Sequence, residues 1–337
     1  MTKKKQKDSM NSEEPEELQV TEAQQKKIDQ LLDDTRKENV QHWDKEITKE
    51  IYVPVDGGEI RVLHVTPKNP KNKRKVIFLP GWGVIPAGFQ DLYEVLFESI
   101  EFYYPETREK GTSRLTSLRK ADMSIEQNAK DVQTVINFLG LQETDFIIAS
   151  PCWGATIILV GLLEKTFDAP TIITFDPMHK LWFNRFLLDI APIVPGFFVN
   201  WLKPFFKWAL FRNMKEVVQK KRSEDFVDNA DARKWKKAAY QARKLNLYDK
   251  VHAIDREVLV FNGTTDKVHD QIEYPKIARE MPKGRFFFMN THESNRGRLM
   301  GTVVREFALV DAKTNIPPSL LEFEKKLDRD RKNVTSN

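Results

Sequence analysis

One cysteine stands where it could act as a nucleophile. Residues 146–158 read Phe-Ile-Ile-Ala-Ser-Pro-Cys-Trp-Gly-Ala-Thr-Ile-Ile. A short apolar run leads into small-X-Cys-X-small, Ser150 to Gly154, and a second apolar stretch follows that can run as a helix. A nucleophile on a tight strand-to-helix elbow needs small neighbours, because the backbone doubles back on itself there. The competing reading of Cys152 is a buried structural thiol. Nucleophilic acyl transfer also needs a base that moves the proton and donors for the developing oxyanion. Asp266 and His292 are the candidate acid and base. Each follows a predicted strand, as Cys152 does, and a parallel sheet binds ligands at the carboxyl ends of its strands. Asp176 also follows a predicted strand, Thr171–Phe175. His269 ranks behind His292 because it lies on the way into the next helix.

The elements that must position these groups can be read in order. Thr21 and Gln24 form a capping box that opens a helix with Ile28, Leu31, Leu32 and Thr35 on one face. It is expected to pack on the main domain. Ile47–Val55 and Ile60–Val65 read as strands joined by an Asp56-Gly57-Gly58 turn. Val76–Leu79 is wholly apolar, as a central strand buried on both faces should be, and it ends in Pro80-Gly81-Trp82-Gly83. Helical spacing follows over Phe89 to Ile100, then a strand over Glu101–Tyr104 and a turn-rich loop, Arg108 to Ser113. A second capping box, Ser124 and Gln127, opens a helix that Gly140 stops. After the elbow come strands at Thr171–Phe175, Glu257–Phe261 and Arg285–Met289, with helices around Ile277 and through Leu299, Val303 and Phe307. This alternation predicts an α/β fold with a mostly parallel sheet flanked by helices.

The alternation breaks over residues 178–245. Trp182, Phe183, Phe186, Phe197, Phe198, Trp201, Phe205, Phe206, Trp208 and Phe211 fall here, with Pro192, Pro195 and Pro204 between them, and then a basic stretch, Lys234-Trp235-Lys236-Lys237. An insertion of short helices after a strand is expected to be a lid whose aromatics face the site beneath. Charges and prolines interrupt it too often for a span of about 20 apolar residues. Peripheral contact with a membrane is a second expectation for this amphipathic insertion.

The chain order nucleophile, acid, base, with an elbow and a late insertion, resembles the α/β-hydrolase fold family over roughly residues 47 to 310. Leu79-Pro80-Gly81-Trp82-Gly83 is similar to the family's first oxyanion loop and Ser150 to Gly154 to its elbow. Asn262-Gly263-Thr264-Thr265-Asp266 is similar to its acid turn, and Thr291-His292-Glu293 to its histidine loop. Gly111-Thr112-Ser113 looks like the tail of a Gly-X-Gly-X-Ser segment, with Glu109 where the first Gly would stand. The resemblance implies that Cys152 attacks an acyl carbon, His292 serves as base and then acid, and Asp266 holds its tautomer, with Asp176 the alternative acid because some members place the acid there. It also places the oxyanion hole at the backbone N–H groups of Trp82 and Trp153. Pro80 stands where many members have His, and Cys152 replaces Ser, as in dienelactone hydrolases and polyhydroxyalkanoate synthases. The expected arrangement is a core of residues 47–177 and 246–310, a helical cap at 178–245, a polar N-terminal tail with an accessory helix at 1–46, and a polar C-terminal tail at 311–337. The expected activity is hydrolysis of esters or thioesters with an apolar acyl group. The alternatives are an acyltransferase using the same three residues and a non-catalytic lipid- or membrane-binding protein.

Composition narrows the rest. The 337 residues are 40% hydrophobic and 31% charged, with a net charge of +5. Part of the excess is the run Lys3, Lys4, Lys5 and Lys7, which reads as a solvated terminus. No basic stripe with interleaved aromatics recurs, so no nucleic-acid partner is expected. A small acyl substrate is. One Cys excludes an internal disulfide and fits a reducing cytoplasm, and the charged N-terminus lacks the apolar region of a secretory signal. No glycine-rich phosphate motif and no Cys/His cluster occurs, so neither cofactor nor metal is expected.

Overall fold

The computed structural model describes residues 15–35, 45–180, 185–212, 217–264 and 271–329. The lysine run at the N-terminus, Trp182, Phe183, Asp266, His269 and residues 330–337 lie outside them. Strands β1 (Thr48–Val55), β2 (Gly58–Val65), β3 (Lys75–Phe78), β4 (Phe102–Pro105), β5 (Arg114–Leu115), β6 (Phe146–Pro151), β7 (Thr171–Phe175), β8 (Val258–Asn262), β9 (Gly284–Phe288) and β10 (Glu324–Lys325) form one sheet. Its order is β1-β2-β4-β3-β6-β7-β8-β9-β10, with β5 paired to β2. The run from β4 to β9 is parallel. The two ends are antiparallel. The β1–β2 hairpin turns at Gly57, whose φ of 72° is a left-handed conformation that glycine adopts without a Cβ clash.

The helices are α1 (Glu22–Asp33), α2 (Gln90–Phe97), α3 (Ile125–Phe138), α4 (Cys152–Leu163), α5 (Arg185–Ile190), α6 (Gly196–Trp201), α7 (Lys203–Phe211), α8 (Val217–Asp228), α9 (Ala232–Ala242), α10 (Glu273–Glu280), α11 (Arg296–Leu309) and α12 (Pro318–Leu321). Side chains alternate across the sheet. Ile77, Ile148, Ile172, Val260 and Phe286 join α3, α4 and α10 in one core. Their neighbours Phe78, Ile147, Ile173, Phe261 and Phe287 join α1, α2 and α11 in the other. Helix α4 is apolar all round and its residues from Trp153 to Leu162 are buried, as expected of a helix in the middle of a core.

The N-terminal helix carries the full capping box at Thr21 and Gln24 and buries Ile28 and Leu32. At α3 only half the expected box forms. Ser124 accepts from the Gln127 amide, but the Ser124 amide donates to the Asp122 carboxylate, a stronger acceptor because it is charged, rather than to the Gln127 side-chain oxygen. Residues after 311 do more than trail along the surface. Ile316, Leu320 and Phe323 are buried, and β10 extends the sheet beside β9.

Helices α5 to α9 fall within the insertion. Its entry and exit lie side by side. The Leu247 amide donates to the His179 carbonyl, and the His179 ring packs 4.3 Å from Tyr248. Burial lowers the His179 pKa to about 4, against the opposing pull of Glu273 at 3.8 Å and with the help of Lys180 and Lys276. The folded protein therefore binds that proton less tightly than the unfolded chain. Its contribution to stability is complete above the ordinary histidine pKa near 6.5 and is lost as pH falls toward 4. His179→Gln should accordingly show a shallower loss of unfolding free energy between those pH values than the parent, measured by urea titration at each pH.

Candidate active site

Strand β6 is central and ends at Pro151, and α4 starts at the next residue. Cys152 turns the corner with φ 51°. Three described non-glycine residues have positive φ: Cys152, Lys165 and Asp176. Lys165 ends α4, where its amide and that of Thr166 bond back to Leu162 and Gly161, the usual left-handed helix stop. Cys152 and Asp176 end adjacent parallel strands, and such strain, about 1–3 kcal/mol each, collects at functional sites.

The small residues of the elbow have definite work. A Cβ on Gly154 would lie 2.1 Å from Ser150 Oγ and 2.6 Å from the Pro80 carbonyl oxygen. Ser150 Oγ donates to the Leu79 carbonyl at 2.9 Å, which ties the elbow to the end of β3. Thr156 closes the other side. Its hydroxyl donates to the carbonyls of Cys152 and Met178 and accepts from the Met178 amide. That arrangement brings Met178 Sδ to 3.1 Å from Cys152 Sγ, and the thiol is partly exposed.

The loop after β3 passes beside the thiol. A Cβ on Gly81 would lie 3.8 Å from Cys152 Cβ. The Trp82 ring packs edge-on at 4.7 Å against Trp153, which is fully buried. As the second residue of α4, Trp153 has an amide with no carbonyl partner inside the helix. This loop is held by charges. Glu109 and Lys110 are buried and pair at 3.1 Å. Lys110 Nζ donates to the Gly81 carbonyl at 2.6 Å, and the Gly83 amide and the Thr107 hydroxyl donate to Glu109 at 3.3 and 2.7 Å. The cap joins the same network. Lys234 of α9 donates to the carbonyls of Lys110 and Ser113 and to the Ser113 hydroxyl, and burial pulls its pKa down. The sequence concealed these roles, because Arg108 to Ser113 reads as a turn-rich loop and Lys234 as part of a basic stretch. The signal was Glu109 in the position of a glycine.

Above the loop sit Trp235 of α9 and Phe226 of α8, 4.7 Å apart, with Trp235 6.1 Å from Trp82. Gly83, at φ 62°, leaves room for the Trp235 ring, which a Cβ there would meet at 2.1 Å. Only part of the expected inward aromatic face forms, however. Phe197, Trp201, Phe205 and Trp208 point outward and are more than half exposed. Helices α8 and α9 already fill the inner layer, so α6 and α7 lie outside them.

Asp176 is buried between two partners. The Arg296 guanidinium contacts its Oδ2 at 2.9 and 2.8 Å, and Asn262 Nδ2 donates to Oδ1 at 2.5 Å. His292 is exposed. Its Nδ1 lies 2.8 Å from Ser294 Oγ, and the hydrogen-bond partner of the Cys152 thiol is Met178 rather than His292. Asp266 lies outside the described residues, so the structure brings together Cys152, Trp82 and Trp153, places His292 on Ser294, and leaves the pairing of His292 with Asp266 undescribed. Among the described residues no three His, Cys, Asp or Glu side chains gather as a metal site would require.

No family model matches the chain, and no curated protein matches it in sequence. Solved structures do match. An esterase from Exiguobacterium antarcticum aligns with TM-score 0.61 at 15% identity, over 76% of this chain and 98% of its own. A malate-bound thermophilic esterase from Thermogutta terrifontis aligns with TM-score 0.55 at 18% identity, over 77% and 95%. The enol-lactonase of Burkholderia xenovorans LB400 aligns with TM-score 0.56 at 16% identity, over 76% and 99%. The sheet order, the elbow and these likenesses establish the α/β-hydrolase fold.

Two substitutions test the local account. Gly154→Ala should abolish turnover of any substrate of this site and lower unfolding stability by about 1–3 kcal/mol, since its Cβ meets both the Ser150 hydroxyl and the Pro80 carbonyl oxygen, and the second is backbone that cannot turn aside. Glu109→Gln should lower kcat by about tenfold or more with little change in KM, because it loosens the loop expected to carry an oxyanion donor. Steady-state kinetics beside circular dichroism reads both.

Proposed function

We propose that the protein hydrolyses carboxylic esters or thioesters with an apolar acyl group, using Cys152 as nucleophile. One observation carries this reading: the left-handed backbone at Cys152, on the elbow after the central strand and beside the Gly81–Trp82 loop. A thiol that merely filled the core would not need that conformation. The amide of Trp153, in the first turn of α4, and that of Trp82, in the loop beside Cys152, are the proposed donors to the oxyanion. Trp82, Trp235, Phe226 and Met178 surround the approach with apolar surface, which supports an apolar acyl group.

His292 is proposed as the base that takes the thiol proton and later delivers it to the leaving group. Catalytic hydrogen bonds often tighten only when substrate is bound, so the imidazole has to leave Ser294 and turn to the sulfur during the reaction. Asp176 is already occupied by Arg296 and Asn262, which favours Asp266 as the acid that orients His292. Asp176 instead steadies the start of α11, just beyond the histidine loop. In the reaction the thiolate adds to the acyl carbon, the alkoxide or thiolate leaves with the proton from His292, and water activated by His292 releases the acid.

The test is hydrolysis of p-nitrophenyl and thioester substrates of graded chain length. Cys152→Ala, His292→Ala and Asp266→Asn should each lower kcat/KM by about a hundredfold or more, and Asp176→Asn should act mainly on stability. Full activity in Cys152→Ala contradicts the proposal. Added alcohol, amine or thiol acceptors that divert the acyl group from water would make the reaction a transfer.

A further inference from the structure

The outer layer of the cap presents an apolar face to solvent. Ile193 is 80% exposed, Phe197 75%, Trp201 71%, Phe205 58% and Trp208 57%. Consecutive helices α6 and α7 carry these four aromatics and Phe198, with two ring pairs among them: Phe198 with Trp201 at 5.6 Å, and Phe205 with Trp208 at 5.7 Å. Apolar patches of this kind on a protein surface mark places where something else covers them.

Charge identifies what. Residues 178–245 hold fifteen Lys and Arg against six Asp and Glu, while the whole chain is only +5, so the rest of the molecule is net acidic. Exposed cations surround the aromatics. Arg212 lies 5.7 Å above the Trp208 ring, and Arg233 is solvent-exposed beside Phe197 and Lys203 on a groove of about 620 Å³. A second copy of a segment with that net charge would be repelled. An anionic surface would be attracted, each Lys or Arg near it adding to the pull. Tryptophan is the side chain that settles at the boundary between headgroups and hydrocarbon. Neither α6 nor α7 could span a bilayer, and among the described residues no helix is long and apolar enough to cross one. The face is therefore built to lie in the interface.

The cap is arranged so that docking need not disturb the layer beneath. Lys234, Lys237 and Gln241, all on α9, bond to the core at Ser113, Leu118 and Met123. The aromatics of α6 and α7 project from the opposite side of that anchored layer.

We infer that the α6–α7 face of the cap docks on an anionic phospholipid bilayer, with Trp201, Phe205 and Trp208 in the headgroup boundary and the flanking Arg and Lys on lipid phosphates. The surface is independent of the chemistry at Cys152, so it can be tested apart from it. The full chain is mixed with vesicles of phosphatidylcholine alone, or of equal parts phosphatidylcholine and phosphatidylglycerol, and sedimented. The account expects binding to the anionic vesicles, weakening with salt, and little binding to the neutral ones. It expects a Trp201→Glu, Phe205→Glu double variant to bind at least tenfold more weakly, with unchanged circular dichroism and thermal unfolding since both side chains are exposed. Equal binding of the double variant and the parent overturns the inference, as does failure to prefer anionic vesicles. A dimer in solution that the same variant dissociates, without vesicle binding, would instead give the face to a second copy and overturn it too.

Discussion

The structure depends on one forced corner. For the chain to leave the central strand and enter the buried helix α4 within a single residue, Cys152 must take a left-handed conformation. Nothing in the thiol favours that geometry. It is imposed from outside: by Gly154, which allows Ser150 and the Pro80 carbonyl to approach, and by Thr156, which holds the backbone of Cys152 and Met178 together. Interactions that over-determine one residue are what allow strain of about 1–3 kcal/mol to persist. The same constraint lifts the sulfur out of the core and leaves the first amides of α4 without helical acceptors.

Around that corner the protein uses buried charge. Glu109 and Lys110 neutralise one another, and each also satisfies a backbone group of the loop beside the thiol. A buried pair gains little net stability over apolar packing but is costly to break singly. Its value here is definition: the loop can sit in one place only. Lys234 extends the same logic to the cap, since a cation with neutral acceptors in a buried pocket fixes α9 over the site. The result is a cap with a fixed inner layer and an apolar, basic outer one.

Much of this was legible in the sequence because the relevant forces are local. Apolar runs such as Val76 to Leu79 mark strands buried on both faces, and the elbow announces itself in Ser150, Cys152 and Gly154. Thr21 with Gln24 forms the box its spacing predicts. What escaped was decided by distant partners. Charged residues in a loop normally face water, so the burial of Glu109 and Lys110 could not be read without knowing that Gly81 and Gly83 lie against them. Strands β5 and β10 have two residues each and no pattern of their own; pairing alone creates them. The aromatics of the cap were legible as apolar, but which of them turn inward depends on Phe226 and Trp235 taking the inner positions first. Arg296, which occupies Asp176, likewise carries no sequence signal beyond its closeness to His292.

The account stands on a covalent bond that has a definite location. Mixing the protein with an activated ester of an apolar acid, quenching in acid within the first turnover and mapping peptides by mass would locate it. The account predicts the acyl increment on the peptide carrying Cys152, formed in a burst before steady turnover. Turnover with the acyl group on another residue, or with no acylated peptide under conditions that preserve thioesters, would contradict it.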